Sequence, residues 1–130
     1  MATTEATPEM QEAPIDAAVV ERVGERAELD SQRIANAIIA LNAELLGRHS
    51  SFERDYNYVT IDGTRAYRVH EAEWEALTDD FDLDDGLATS VRAAHTEQAR
   101  LLFARSVCSN DVFEAEEAGV VIGIETAEQF

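Results

Sequence analysis

Apolar residues near the start of the chain recur at intervals of three and four, the spacing that lays them along one face of a helix. Val19, Val20, Val23 and Ala27 form the first such stripe, and Asp16 is placed to N-cap a helix running to about Glu28. Leu29 and Asp30 interrupt the pattern. Asp30 can cap a second, longer helix, with Leu29 stapling onto Ile34 ahead of Ile38, Leu41 and Leu45. Gly47 is a candidate C-cap unless the helix continues through "RHSSFERDY".

The period then changes to two. "YVTI", "DG" and "TRAYRV" predict a β-hairpin, because Asp-Gly supplies the positive φ angles of a tight two-residue turn. With Ile61 opposite Thr64, Val59, Ile61 and Ala66 share one face, and Tyr56, Tyr58, Tyr67 and Val69 share the other. A hairpin apolar on both sides needs cover on both sides, from helices and a further strand or from a second subunit. His70 to Leu77 reads as a short helix closed by the acidic loop "TDDFDLDDG". A long helix follows from Leu87 to about Val107, carrying Leu87, Val91, Ala94, Leu101 and Leu102. "CSNDVFEAEEA" reads as a turn with one helical turn, and "GVVIGIET" as a strand apolar on both faces. The expected fold is α+β: a hairpin over 57–69 and a C-terminal strand over 119–125 form a three-stranded antiparallel sheet packed against three to four helices.

Residues 1–14, rich in Thr, Glu and Ala and holding both prolines, show no hydrophobic period and read as a disordered acidic leader. Residues 15–130 then make one domain, the size at which roughly two-thirds of the unfolded surface is buried. Charge sharpens the picture. The chain carries 27 acidic residues against 10 arginines and not one lysine, a net charge of −17. The carboxylates are spread along the whole sequence, unlike those of an acidic tail, while a hydrophobic share of 45% is ordinary for a globular domain. This composition resembles that of cytoplasmic proteins from extreme halophiles, in which concentrated salt screens the repulsion between carboxylates. A single cysteine, Cys108, excludes an internal disulfide, and no basic-then-apolar signal or membrane-length apolar run appears. The expected location is the cytoplasm.

Candidate chemistry is sparse. Tyr58 and Tyr67 with Arg65 and Arg68 could form an aromatic, basic platform for single-stranded nucleic acid. The opposing reading makes the tyrosines core and pairs the arginines with carboxylates, and a net −17 favours it, since phosphate attraction dominates nucleic-acid affinity. Residues 19–39 fit part of a helix-turn-helix pattern: Val23, Gly24, Ala27, Leu29, Ile34 and Ala37 fall at its apolar and small positions, although Glu28 holds the turn position that prefers glycine. That alignment would expose Ser31, Gln32, Arg33 and Asn36 as readers of base edges.

His49 and Glu53, or His95 and Glu97, suggest a metal site only loosely, because neither pair has the spacing of a known ligand motif. His95 and Gln98 fall on the apolar side of the long helix, where they could line a pocket, sit in an interface or be satisfied core groups. Cys108 reads as an inert thiol, and Gly119 and Gly123 lack the following helix of a phosphate loop. No cofactor is implied, and an enzyme would have His95 as its only acid or base. The expected role is a non-catalytic interaction or assembly module, a homodimer using the long helix around His95 and Gln98 or the outer face of the sheet. A helix-turn-helix regulator is the alternative.

Overall fold

A computed structural model describes residues 15–61, 63–81, 83–105 and 116–123. The acidic leader, Asp62, Asp82, most of the "CSNDVFEAEEA" segment with Cys108, and the last seven residues lie outside the described residues.

Helix α1 spans Ala17–Ala27 and buries Val19, Val20, Val23 and Gly24. Two details differ from the sequence pattern. Ala27 is exposed, and the Asp16 side chain makes no capping bond. The backbone N–H of Asp16 instead donates to Gln98 Oε1 at 2.9 Å, tying the helix start to the long helix. Glu28 closes α1 in the left-handed conformation, φ 58° and ψ 42°. An added Cβ on Gly24 would stand 2.9 Å from the Leu29 carbonyl oxygen, so glycine is what lets the chain fold back this closely.

Helix α2, Ser31–Gly47, starts as its sequence implies: Asp30 Oδ1 accepts from the Gln32 amide at 2.9 Å. Ile34, Ile38, Leu41 and Leu45 are completely buried. Arg48 then leaves helical geometry, at φ −103° and ψ 5°, before helix α3, His49–Asp55, buries Phe52. Gly47 is therefore the last helical residue and not a left-handed cap.

Strands β1, Asn57–Ile61, and β2, Thr64–His70, form the expected hairpin, with Ile61 opposite Thr64 and Gly63 at φ 80°. Helix α4 spans Glu71–Phe81 and runs through the first part of the segment expected to be an acidic loop. Phe81 supplies an apolar anchor against the core, and Thr78 satisfies its hydroxyl on the Trp74 carbonyl at 3.0 Å, so the helix continues past Leu77. Helix α5, Asp85–Arg105, starts two residues before Leu87 because Asp84 Oδ1 accepts from the Leu87 amide at 2.8 Å and caps it. Leu101 is 42% exposed; Ala99, Leu102 and Phe103 take the buried stripe at that end. Strand β3, Glu117–Gly123, begins two residues before Gly119.

The domain is α+β, with an antiparallel sheet in the order β1-β2-β3. Helix α5 lies across the sheet and touches every strand. A Cβ on Gly119 would meet the Ala99 Cβ at 2.4 Å and Thr96 Cα at 3.0 Å, which puts α5 directly on the face bearing Gly119 and Val121. Tyr67, Val69, Val120 and Ile122 point the opposite way, and each is fully buried, with the Phe52 ring 5.4 Å from that of Tyr67. Among the described residues, helices of the same chain thus cover both sheet faces, and Tyr58 and Leu101 are the large apolar side chains left exposed.

Candidate functional site

The central groups lie where α5 meets β3. Val91, Ala94, His95, Gln98 and Leu102 are spaced three and four apart, so the helix carries His95 and Gln98 into the core. His95 is 1% exposed, and its Nδ1 accepts the Val121 amide at 3.2 Å. Its proton therefore sits on Nε2, which has no hydrogen-bond partner among the described residues, and the ring centroid lies 5.0 Å from that of Trp74. Burial pushes its pKa down to about 3. The imidazole is neutral at any physiological pH and holds a strand edge. Gln98, 6% exposed, holds the N-terminal amide of α1. Both side chains are buried within the single chain, and neither lines the groove described below.

Two neighbours complete the attachment of β3. Thr96 Oγ1 accepts the Gly119 amide at 3.0 Å, and the Trp74 indole donates to the Gly119 carbonyl at 2.9 Å. Side chains from α4 and α5 thus occupy the Gly119 amide and carbonyl and the Val121 amide, which turn away from β2. Over these groups the edge is blocked.

The hairpin tyrosines divide. Tyr67 is fully buried, its hydroxyl 3.4 Å from the His49 carbonyl, and burial raises its pKa, more than the Arg65 guanidinium lowers it. Tyr58 is 38% exposed. Arg65 lies over the Tyr58 ring, 4.4 Å from its centroid, and pairs with Glu53 at 3.0 Å, while Arg68 pairs with Glu117 at 3.3 Å. A stacking platform would need both rings open; here one is core.

In the N-terminal helical pair, Gln32, Arg33 and Asn36 are exposed and Ser31 is half-buried. Gln32 Nε2 donates to Asn36 Oδ1 at 3.0 Å, and Arg33 pairs with Asp84 at 3.3 Å. The face is accessible but carries its own carboxylates, Asp30 and Asp84. His49 and Glu53 do not converge with further ligands, and among the described residues no group of three His, Cys, Asp or Glu side chains could hold a metal ion. No helix among them is long and apolar enough to cross a membrane.

Sequence reasoning missed a groove of about 750 Å³ on the outer side of α5, lined by Arg26, Arg92, Arg100, Thr89, Thr96 and Glu97 among others. Glu97 is clasped by Arg22 and by Arg26, the latter at 2.9 Å. Partial burial would raise its pKa, but the two guanidinium groups outweigh that and hold it below the usual carboxylate range. The signal was available: 89, 92, 93, 96, 97 and 100 are one helical stripe, opposite in character to the buried one. What the sequence could not supply was Arg26, brought in from another helix.

A family model described as Domain of unknown function (DUF8048) matches residues 13–124. No curated protein and no solved structure matches the chain. With nearly all of the folded unit inside that match, the chain belongs to the DUF8048 family.

Proposed function

We propose that the chain is a non-catalytic interaction module that pairs with a second copy of itself through the β1 edge of its sheet. The observation that carries this reading is the difference between the two edges. At Gly119 and Val121 the β3 edge is blocked by His95, Thr96 and Trp74. Since Gly119 and Val121 point away from β2, strict alternation turns the peptide groups of Tyr58 and Thr60 outward from β1. The strand "NYVTI" has no proline, lysine or carboxylate, the usual devices that blunt such an edge.

A second copy suits this edge better than an unrelated strand. A two-fold axis beside Val59 sets Tyr58 against the partner's Thr60 and the reverse, so both outward-pointing residues on each side find peptide partners. The strand is uncharged in a molecule of net charge −17, so two copies can meet there without opposing carboxylates. His95, the acid-base candidate of the sequence, is committed to the fold, which is why the reading is non-catalytic. The lysine-free acidic surface fits work in the concentrated salt of a halophile-type cytoplasm.

Light scattering in molar KCl tests it. The wild type should be a dimer at tens of micromolar, and Thr60→Pro, which deletes an outward N–H without touching the β1–β2 ladder, should be a folded monomer. Tyr58→Lys should behave alike. A monomeric wild type, or a dimer that survives both substitutions, refutes the proposal.

One observation favours a second reading. Glu28 is left-handed at the turn position, and Gly24 permits the close return that a helix-turn-helix needs. In a fluorescence anisotropy assay with genomic duplex fragments, the preferred reading expects no sequence-dependent binding. Tight binding lost in Arg33→Gln and Asn36→Ala would promote the regulator instead.

A further inference from the structure

Strand β1 carries one guanidinium built against its outer side. In the hairpin register Tyr58 stands opposite Tyr67 and Thr60 opposite Arg65, so these four side chains share one face of the sheet. Arg65 Nε donates to Thr60 Oγ1 at 3.1 Å, and its Nη1 donates to Glu53 at 3.0 Å. Its guanidinium carbon lies over the Tyr58 ring, 4.4 Å from the centroid. The buried Tyr67 ring stands beside Tyr58, with 5.6 Å between centroids. One planar group thus engages a ring, a hydroxyl and a carboxylate together, which the single ammonium of a lysine is poorly shaped to do.

Tyr58 and Thr60 are also the residues whose peptide groups turn outward from β1. Arg65 therefore holds the side chain of each residue that the pairing of two copies would use. Both are exposed, and exposed side chains ordinarily sample several rotamers. Ordering such a side chain during association costs free energy, and ordering it beforehand lowers that cost. Arg65 is itself well anchored, its side chain only 18% exposed. Glu53 is 47% exposed and its ion pair is screened in concentrated salt, so the hold on Tyr58 and Thr60 is the part that persists there.

We propose that Arg65 is a positioning residue for self-recognition at β1, an inference that rests on the pairing of two copies through this edge. It fixes Tyr58 to receive the partner's Thr60, and Thr60 to receive the partner's Tyr58. The partner that fits is an uncharged antiparallel strand with an aromatic residue and a β-branched hydroxyl residue two positions apart, the pattern "YVT" of this chain's own β1. Two-fold symmetry makes each Arg65 prepare one half of the contact.

Sedimentation and light scattering over a dilution series in molar KCl give the dimer dissociation constant. Arg65→Gln and Tyr58→Leu should each weaken the dimer about tenfold, since ordered side chains are lost on both subunits. Together they should fall well short of the roughly hundredfold loss that independent effects would give. Arg65→Lys, which keeps the charge near the Tyr58 ring, should recover part of the loss. Arg54→Gln removes the same charge from α3 without touching Tyr58 or Thr60, and should leave the constant unchanged. Circular dichroism checks that each variant is folded; if Arg65→Gln is not, Arg65→Lys and the exposed Tyr58→Leu carry the test. A dimer unaffected by the Arg65 variants, an equal loss in Arg54→Gln, or fully additive losses overturns this inference while the pairing stands. A monomeric wild type overturns both.

Discussion

His95 offers a direct measure of how the core is held together, because replacing it separates a titration from a packing effect. In the fold its pKa lies at about 3, from burial alone, against 6.5 in the unfolded chain. Above pH 6.5 both states bind no proton at this site, and its contribution to stability is complete. Below that the unfolded chain takes up a proton that the folded chain refuses until about pH 3, so stability is lost as pH falls through this window. At 1.36 kcal/mol per unit, this amounts to about 2 kcal/mol between pH 7 and pH 5, and about 4 kcal/mol by pH 3. Other groups titrate there too. Neutralising carboxylates on a chain of net charge −17 relieves repulsion and works in the opposite direction, while Glu97, held ionised by Arg22 and Arg26, loses its contribution as pH falls.

A comparison with His95→Asn removes those common contributions. Asn can place an acceptor near the Nδ1 position for the Val121 amide and does not titrate. It gives up ring volume beside Trp74 and should cost about 2 kcal/mol at pH 7, where His95→Leu would also strand the amide. Urea unfolding in constant molar KCl, at pH 7 and pH 5, gives the stability gap between wild type and variant at each pH. That gap should shrink by about 2 kcal/mol on going to pH 5. A gap constant to within about 0.5 kcal/mol would mean that His95 titrates normally in the fold, and the placement of the ring against Trp74 and β3 would be wrong. The histidine ring proton resonances give a second readout: His95 should not titrate above pH 5.

Gly119→Ala should destabilise by about 1–3 kcal/mol through overpacking on Ala99, with partial recovery in the Gly119→Ala, Ala99→Gly pair; a fully stable single variant refutes the contact. Gly63→Val should cost on the order of 1 kcal/mol or more, because a β-branched residue resists φ 80°, and equal urea midpoints would contradict that turn geometry. The melting temperature followed by circular dichroism should rise steadily from dilute to molar KCl as salt screens the carboxylates, and equal melting across that range would exclude charge repulsion as a significant force.

The parts of the fold legible in the sequence are those fixed by local chemistry. Asp30 caps α2 and Gly63 turns the hairpin because a side-chain oxygen and a bare backbone act on their own neighbours. Boundaries decided by distant partners were not legible. Helix α4 runs on to Phe81 because that ring finds the core, and Leu101 yields its place to Ala99 and Phe103 because the sheet approaches α5 from one direction only. The expectation of surplus apolar faces has the same origin. The strands are as apolar as their pattern says, but α2, α3 and α5 cover more of the sheet than amphipathic spacing alone suggests.

The site obeys the same division. His95 and Gln98 stand out as polar residues on an apolar stripe, and that oddity is real, but its cause is a pair of backbone amides, those of Val121 and Asp16, that no spacing rule connects to α5. Buried amides without a ladder partner need an acceptor, and a helix passing beside an edge strand is the nearest source. Once α5 spends its inner polar residues on that edge, its outer stripe is left to face solvent and α1. There arginines drawn from two helices meet carboxylates in an arrangement that neither helix encodes alone. The groove and the blocked edge are thus two faces of one helix: the placement that makes His95 a fixture of the core is also what turns Arg92, Thr96 and Arg100 toward Arg26.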